Sequence, residues 1–280
     1  PGDRTRNAET LAMCRLLAYA GGEPTSLARY VLEPPHSLEA QAYAPEEMLS
    51  GVVNADGFGV GWYADQGASA GEPAVYRSLS PIWSDGTFRS LAPKIQSRMY
   101  FAALRNATPP LPSELNAVPP FSSGRYLFMH NGAIDRFRET VMRPMRGSLS
   151  DERYRGIIGT SDSETVFACL LNRLDDGLSP RDALLDTIRF VAKTCLSYDT
   201  KATLNLGLTD GQEMVFTRYS TSGATNSLYY LEGLGGLGGE KSVLVASERV
   251  DGDDRWRRVP AGSLLKVGED GRVSVDEIPL

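Results

Sequence analysis

The stretch MCRLLAY, residues 13–19, places a cysteine directly after a methionine and directly before an apolar run. The run over residues 14–20 is typical of a buried β-strand, since it is almost entirely apolar and is followed by two glycines. If Met13 were the initiator and were removed, the α-amine of Cys14 would be free. Its pKa of about 8 lies close to that of a thiol, so the amine can accept the thiol proton. The stretch predicts either a nucleophile that needs no histidine or a small buried hydrophobic residue.

The composition of the chain excludes several classes of protein. Its 280 residues include 29 Lys+Arg and 35 Asp+Glu, which give a net charge of −6, and only 3 Cys and 2 His. This charge argues against a general nucleic-acid binder, and no apolar run is long enough to span a bilayer. The cysteines cannot form a disulfide framework and do not cluster as zinc ligands do, so we expect no metal and no cofactor. We expect a soluble, cytoplasmic protein, with its oligomeric state (homo-oligomer included) left open.

Strands are predicted at both ends of the chain. Apolar runs bounded by turn residues indicate strands at 14–20, 58–64, 99–104 and 126–130. In the second half, two Asp-Gly turns predict two hairpins, with a further antiparallel pair between them. These three pairs are residues 202–208 with 213–218, 264–267 with 273–275, and 227–231 with 242–247.

Two helices are predicted between these groups of strands. The first covers residues 161–174 and begins with a Ser-x-x-Glu capping box at Ser161 and Glu164, and the second begins at Ser179. This order favours an α+β fold with helices outside antiparallel sheets, rather than a doubly wound parallel sheet. Four loops are predicted within one domain, at residues 66–73, 108–120, 141–159 and 233–239.

Polar residues stand at the ends of three of these elements, where a rigid support can present them to a ligand. Arg105 follows the strand at 99–104 and can clamp a carboxylate, or remain a solvated surface residue. Asn131 and Gly132 offer the two N–H donors of an oxyanion hole, although Asn-Gly is also the commonest tight turn. Asp162 can receive an ammonium group, or serve only the dipole of its helix.

The remaining motifs give weaker signals when they are taken singly. His130 is predicted to be a packed strand residue, and His36 has no local partner that marks it as catalytic. The glycine-rich segment 54–62, NADGFGVGW, predicts a strand entry with close backbone approach. It lacks the GxGxxG pattern and the following helix of a dinucleotide loop.

In this order, the motifs resemble those of the class II glutamine amidotransferases, which are N-terminal-nucleophile hydrolases. They are similar to one branch, which contains the γ-glutamyl hydrolase of ergothioneine biosynthesis and glutathione-degrading relatives. The resemblance extends from residue 13 to about residue 267 and is weakest in the loops at 66–73, 141–159 and 233–239. The motifs are MCRLL at 13–17, VLEPPH at 31–36, NADG at 54–57, PIWSD at 81–85, HNG at 130–132 and ASE at 246–248.

The resemblance implies a four-layer αββα sandwich, in which two antiparallel sheets are flanked by helices. It implies that the Cys14 thiolate attacks a γ-glutamyl carbonyl with its own α-amine as the base, and that Asn131 and Gly132 hold the oxyanion. Water would then cleave the thioester. Three residues would bind the glutamyl group: Arg105 at its α-carboxylate, Asp162 at its α-ammonium, and Thr108 as part of the family's Arg-x-x-Thr.

Two features depart from the family pattern. While Cys14 is in a peptide bond its nitrogen is an amide and cannot act as a base. We therefore expect residues 1–13 to be an N-terminal extension or propeptide that is removed from a domain at 14–280; the segment has no apolar core and does not resemble a signal peptide. Pro109 stands where many glutaminases of this class have histidine, which argues against plain glutaminase behaviour.

The predicted function is therefore hydrolysis of a small γ-glutamyl amide, such as γ-glutamyl-hercynylcysteine sulfoxide, to glutamate and hercynylcysteine sulfoxide. Alternatives are a glutathione-degrading relative, a glutaminase or amidotransferase subunit that passes ammonia to a synthase partner, and an inactive binding module of the same fold. No nucleic-acid or membrane partner is expected. The leaving group stays open, because the divergent loops would form that side of the pocket.

Overall fold

The computed structural model describes residues 14–47, 53–64, 71–106, 114–235 and 239–279. Within these ranges the chain forms thirteen strands and seven α-helices. The strands are β1 (Arg15–Ser26), β2 (Phe58–Tyr63), β3 (Pro73–Ser78), β4 (Gln96–Leu104), β5 (Phe121–Ser123), β6 (Tyr126–Ile134), β7 (Ala202–Thr209), β8 (Met214–Ser220), β9 (Tyr229–Glu232), β10 (Val243–Ala246), β11 (Arg257–Arg258), β12 (Ser263–Val267) and β13 (Val273–Glu277). The helices are α1 (Ala28–Val31), α2 (Leu38–Tyr43), α3 (Gly86–Leu91), α4 (Met142–Gly147), α5 (Asp151–Arg155), α6 (Asp162–Asp175) and α7 (Pro180–Ser197).

The strands form two sheets in which neighbouring strands run antiparallel. The first sheet has the order β11-β9-β10-β1-β4-β2-β3, and the second has the order β13-β12-β8-β7-β6-β5. In the first sheet, β1 lies between β10 and β4, with Leu17 opposite Ala246 on one side and Ala102 on the other. A central strand of this kind needs side chains that suit two buried faces, which explains the continuous apolar run of the sequence.

The two faces of β1 belong to different cores. Leu16 and Ala18 point into the core between the two sheets, whereas Leu17 and Tyr19 point into the core between the first sheet and helices α1–α3. A third core joins the second sheet to helices α4, α6 and α7. The layers are therefore helix, sheet, sheet and helix, which confirms the predicted αββα sandwich. No helix of the described part is long and apolar enough to cross a membrane.

The two long helices and the three predicted strand pairs are confirmed, whereas the helices of four to six residues were not predicted. Helices α6 and α7, both Asp-Gly hairpins and the pairing of β9 with β10 agree with the sequence pattern. The prediction of a loop over residues 141–159 is wrong, since α4 and α5 lie there. These helices, like α1–α3, have only four to six residues, which is too short for a periodic apolar pattern to emerge.

The predicted capping box is only half formed. The Ser161 hydroxyl accepts the N–H of Glu164, as expected at the start of α6. The Glu164 carboxylate instead accepts the N–H groups of Ile158 and Gly159, at 2.8 and 2.7 Å. The side chain therefore holds the segment that leads into the helix, which a local motif does not predict.

Phe216 of β8 tests the core between the sheets. Its side chain is fully buried, and its ring lies 5.6 Å from the ring of Phe101 in the first sheet. Phe216→Ala is expected to lower the free energy of unfolding by about 3–5 kcal/mol, because it leaves a cavity between two sheets that cannot close on each other. Urea denaturation measures the change, with Leu196→Ala, at an 83% exposed position, as the control. A loss below about 1 kcal/mol for Phe216→Ala would contradict this packing.

Candidate active site

Cys14 lies immediately before β1, in line with the side chains that point between the sheets. The residue is partly exposed, but burial of its thiol raises the thiol pKa. The backbone N–H of Asn106 and the charge of Arg105 oppose this rise, and the charge of Asp162 adds to it. The net pKa is raised, so the thiol is protonated near neutral pH and needs a base before it can attack.

Arg105 directly follows β4, and its backbone is held by the NADG segment. Its N–H donates to the carbonyl of Gly57 at 2.8 Å, and its carbonyl accepts the N–H of Asp56 at 3.2 Å. Gly57 has a φ of +113°, and a Cβ there would lie 2.6 Å from the carbonyl oxygen of Ser78. The segment therefore needs glycine at this position, and it fixes a 5% exposed arginine whose charge acts on Cys14.

Asn131 is held in one orientation by Asn226. The Nδ2 group of Asn226 donates to the backbone carbonyl of Asn131 at 3.2 Å and to its Oδ1 at 2.9 Å. Since a backbone carbonyl can only accept, the facing group must be an NH₂, and the atom of Asn131 beside it must be oxygen. The Asn131 NH₂ therefore faces Ser247, to whose Oγ it donates at 3.1 Å. One N–H of the amide is used in this bond, and the amide carries a second.

Ser247 links the two sheets at this point. Its Oγ accepts the Asn131 amide from the second sheet and the backbone N–H of Leu16 from the first, at 3.1 and 3.0 Å. Its own N–H donates to the Leu16 carbonyl at 2.9 Å. Ser247 thus connects Asn131 to the residue that lies two positions after Cys14.

Gly132 lies inside a strand and not in a turn. Strand β6 continues through Asn131 and Gly132 to Ile134, so the expectation that a strand ends before these residues is wrong. A Cβ at Gly132 would lie only 1.9 Å from the carbonyl oxygen of Thr203 in β7. The close approach of β7 therefore requires glycine here for steric reasons alone.

Asp162 and His130 meet at the start of α6. The Asp162 carboxylate accepts the N–H of Ile134 at 2.8 Å and that of Ser163 at 2.7 Å, which ties the helix to the end of β6. The ring of His130 lies 2.9 Å from the Ser163 hydroxyl and 2.9 Å from the Thr203 carbonyl oxygen. His130 is only 3% exposed, which confirms that it is a packed strand residue.

A buried charged cluster surrounds Glu248, on the helix side of the first sheet. Its Oε1 accepts from Arg15 Nε at 2.8 Å and from the N–H of Glu47 at 3.1 Å. Its Oε2 accepts the N–H of Glu46 at 2.8 Å and lies 2.7 Å from His36 Nε2. Burial raises the pKa of this carboxyl, but the hydrogen bonds from His36, Glu46 and Glu47 and the charge of Arg15 outweigh it and bring the pKa to about 2.

Sequence reasoning thus identified some parts of this region and missed others. The structure brings Arg105 and Asp162 within electrostatic reach of Cys14. Asn226 and the partners of Ser247 and Glu248 were missed, although the ASE motif at 246–248 was a usable signal. Thr108, Pro109 and residues 1–13 lie outside the described residues. Within the described ranges, no group of three or more side chains could hold a metal ion.

Ser247→Ala tests the link between the sheets. The change removes the acceptor of two buried N–H groups, so we expect the free energy of unfolding to fall by about 1–3 kcal/mol. Chemical denaturation measures the loss. Ser197→Ala is the control, because that hydroxyl bonds only to its own helix on the exposed surface. Equal stability of Ser247→Ala and the wild type would contradict the bonds to Leu16 and Asn131.

The depressed pKa of Glu248 predicts a dependence of stability on pH. The pKa of this carboxyl is about 4.3 in the unfolded chain and about 2 in the folded protein. The ionised carboxylate therefore stabilises the fold at pH values above about 4.3, and this contribution is lost as the pH falls towards about 2. The stability difference between the wild type and Glu248→Gln should therefore narrow between pH 5 and pH 2.5 in urea denaturation. A difference that does not change with pH would contradict the assigned ionisation.

The comparisons with known proteins agree with this geometry. The family model of the class II glutamine amidotransferases matches residues 13–232. The γ-glutamyl-hercynylcysteine sulfoxide hydrolase of Mycolicibacterium smegmatis is 36% identical over 91% of this chain and 96% of its own length. The "Probable glutamine amidotransferase" of Saccharomyces cerevisiae is 30% identical over 91% and 82%. A glutamine aminotransferase class-II domain protein from Silicibacter pomeroyi has a solved structure that superposes with a TM-score of 0.68 at 25% identity, over 95% of this chain and all of that one. The chain therefore belongs to the class II glutamine amidotransferases, a family of enzymes.

Proposed function

We propose that this chain hydrolyses a γ-glutamyl amide by attack of Cys14, once residues 1–13 have been removed. One observation carries the proposal: the thiol needs a base, and both histidines of the sequence are engaged elsewhere. His36 is bonded to Glu248, and His130 lies between Ser163 and Thr203. The free α-amine of Cys14 is then the base, since its pKa of about 8 suits proton transfer from the thiol.

The mechanism assigns a role to each residue around Cys14. The thiolate attacks the δ-carbonyl carbon, and the second N–H of the Asn131 amide and the N–H of Gly132 stabilise the oxyanion. Arg105 binds the α-carboxylate and Asp162 the α-ammonium of the glutamyl group, and Thr108 contributes to binding as part of the family's Arg-x-x-Thr. The amine then gives its proton to the leaving amine, and water hydrolyses the thioester to release glutamate.

The proposed substrate is γ-glutamyl-hercynylcysteine sulfoxide, with glutamate and hercynylcysteine sulfoxide as products. Its support is the identity of about one third, along most of both chains, with relatives named for that hydrolysis. The second candidate is a glutaminase or amidotransferase, which the name of the yeast relative favours. Both share the same acyl-enzyme chemistry and differ only in the leaving group.

The test uses the protein that begins at Cys14, compared with the 280-residue chain. The shortened protein should hydrolyse the sulfoxide conjugate and the long chain should not, because its Cys14 nitrogen is an amide. Cys14→Ala should abolish turnover. Asn131→Ala should lower kcat by about 100-fold or more, since one oxyanion donor is lost. Asn172→Ala, on the outer helix α6, is the matched control.

Three results decide the outcome. Full turnover by Cys14→Ala would exclude both candidate functions, because each uses Cys14 as the nucleophile. Turnover by a chain whose intact mass still includes residues 1–13 would exclude the free amine as the base. A kcat/KM for glutamine above that for the sulfoxide conjugate would favour the glutaminase.

A further inference from the structure

Three residues that the proposed mechanism does not use, each from a different motif, meet on the helix side of β1. Arg15 comes from MCRLL, His36 from VLEPPH and Glu248 from ASE, and the residues are up to 233 positions apart. Both oxygens of the Glu248 carboxylate are saturated, one by Arg15 and a backbone N–H, the other by His36 and a second backbone N–H. The carboxylate is therefore held rigidly, and so is any group bonded to it.

The guanidinium of Arg15 connects this carboxylate to Cys14. Its Nε donates to Glu248, while its Nη1 donates to the backbone carbonyl of Cys14 at 3.0 Å. Holding this carbonyl fixes the plane of the Cys14–Arg15 peptide, and with it the position of the Cys14 Cα from which the α-amine and the thiol extend. After removal of residues 1–13, Cys14 is tethered by the chain on one side only, so this bond becomes a main restraint on the nucleophile.

Adjacent residues after β10 serve both halves of the site. Ser247 faces the second sheet and bonds to Asn131, whereas the next residue, Glu248, bonds to Arg15 on the helix side of the first sheet. The oxyanion donor and the nucleophile are thus positioned from two consecutive residues. This arrangement fixes the position of the oxyanion donor relative to that of the nucleophile.

Stability alone does not account for the arginine. A buried ion pair is often no more stabilising than apolar residues of similar volume. Arg15 is 1% exposed on the face of β1 from which Leu17 and Tyr19 pack into an apolar core, and its Nη2 is buried without a hydrogen-bond partner among the described residues. A planar group that bonds to a carboxylate and to the Cys14 carbonyl at once is what positioning requires.

We propose that Glu248, His36 and Arg15 form the positioning device of the Cys14 nucleophile, in which Arg15 aligns Cys14 with the oxyanion donors. The inference rests on the proposed function, because it assigns Cys14 as the nucleophile. Arg15 and Glu248 do not touch the γ-glutamyl group in this proposal; they act through the backbone of Cys14.

Arg15→Lys in the protein that begins at Cys14 tests the device. Lysine keeps the charge, but its single ammonium cannot reproduce the fork between Glu248 and the Cys14 carbonyl. We expect kcat to fall by about 10- to 100-fold with KM changed less than about threefold, since misalignment slows attack more than it weakens binding. Arg173→Lys is the matched control: Arg173 also joins a carboxylate, Asp186, to the backbone carbonyl of a cysteine, Cys169, but on the outer helices. It should leave kcat within about twofold.

A second measurement separates this inference from the proposed function. Iodoacetamide alkylates a thiolate in many orientations, whereas a glutamine-analogue diazoketone must be attacked from within the oriented site. Intact mass gives both labelling rates without any turnover. Arg15→Lys should lower the ratio of diazoketone to iodoacetamide rates at least about tenfold relative to the wild type. A wild type that is labelled but hydrolyses nothing would sink the proposed function alone, and the ratio would still decide the positioning role.

A ratio of labelling rates that is unchanged in Arg15→Lys would overturn the positioning role, even if both rates fall by the same factor. If Arg15→Lys does not fold, His36→Gln replaces it, because this change disturbs only the Oε2 side of Glu248. There the ratio should fall by about threefold or more, and an unchanged ratio would again overturn the inference. Circular dichroism and thermal unfolding establish that each variant is folded.

Discussion

The hydrogen bonds to the Ser247 hydroxyl join the two sheets close to Cys14, at the start of β1. Ser247 directly follows β10 of the first sheet, and its oxygen accepts one N–H from Leu16 beside it and one from Asn131 across the interface. A buried donor without an acceptor costs about 1–3 kcal/mol, so a shift of either sheet would be unfavourable. The position of the Asn131 amide relative to the start of β1 therefore depends on this hydroxyl.

Side chains alternate along β1, and this alternation places two sets of charged groups on opposite faces of the strand that begins after Cys14. Cys14 continues the face that points between the sheets, where Arg105 and Asp162 act on its thiol. Arg15 continues the opposite face, where Glu248 balances its charge. Desolvation would make either charge unfavourable alone, and pairing with several hydrogen bonds makes the buried carboxylate stable in its ionised form. The strand thus separates the groups proposed to bind the substrate from the groups proposed to hold the nucleophile.

The two histidines illustrate how a residue type that often acts as a base can be used for structure. His130 connects the start of α6 to β7 through Ser163 and Thr203, and His36 completes the shell of Glu248. Neither ring is bonded to the thiol. In the proposed mechanism the nucleophile carries its own amine, so neither histidine is needed as the base, and both rings make structural hydrogen bonds instead.

The sequence alone determined the α+β class and the long elements, because apolar periodicity, Asp-Gly turns and helix caps are local signals. It also determined which residues could carry chemistry, through the resemblance of Cys14, Arg105, Asn131, Gly132 and Asp162 to a known family. It did not predict the helices of four to six residues, since one turn shows no period. It placed Asn131 and Gly132 after a strand that in fact continues through them.

Only the tertiary structure decided how the motifs are joined. The bond from Asn131 to Ser247 spans 116 positions and the pair of Arg15 with Glu248 spans 233, so neither leaves a pattern in any short window of sequence. The orientation of the Asn131 amide likewise depends on Asn226, a residue with no motif of its own. Local residue types therefore specify the elements and the reactive groups, whereas contacts between distant strands fix where those groups point.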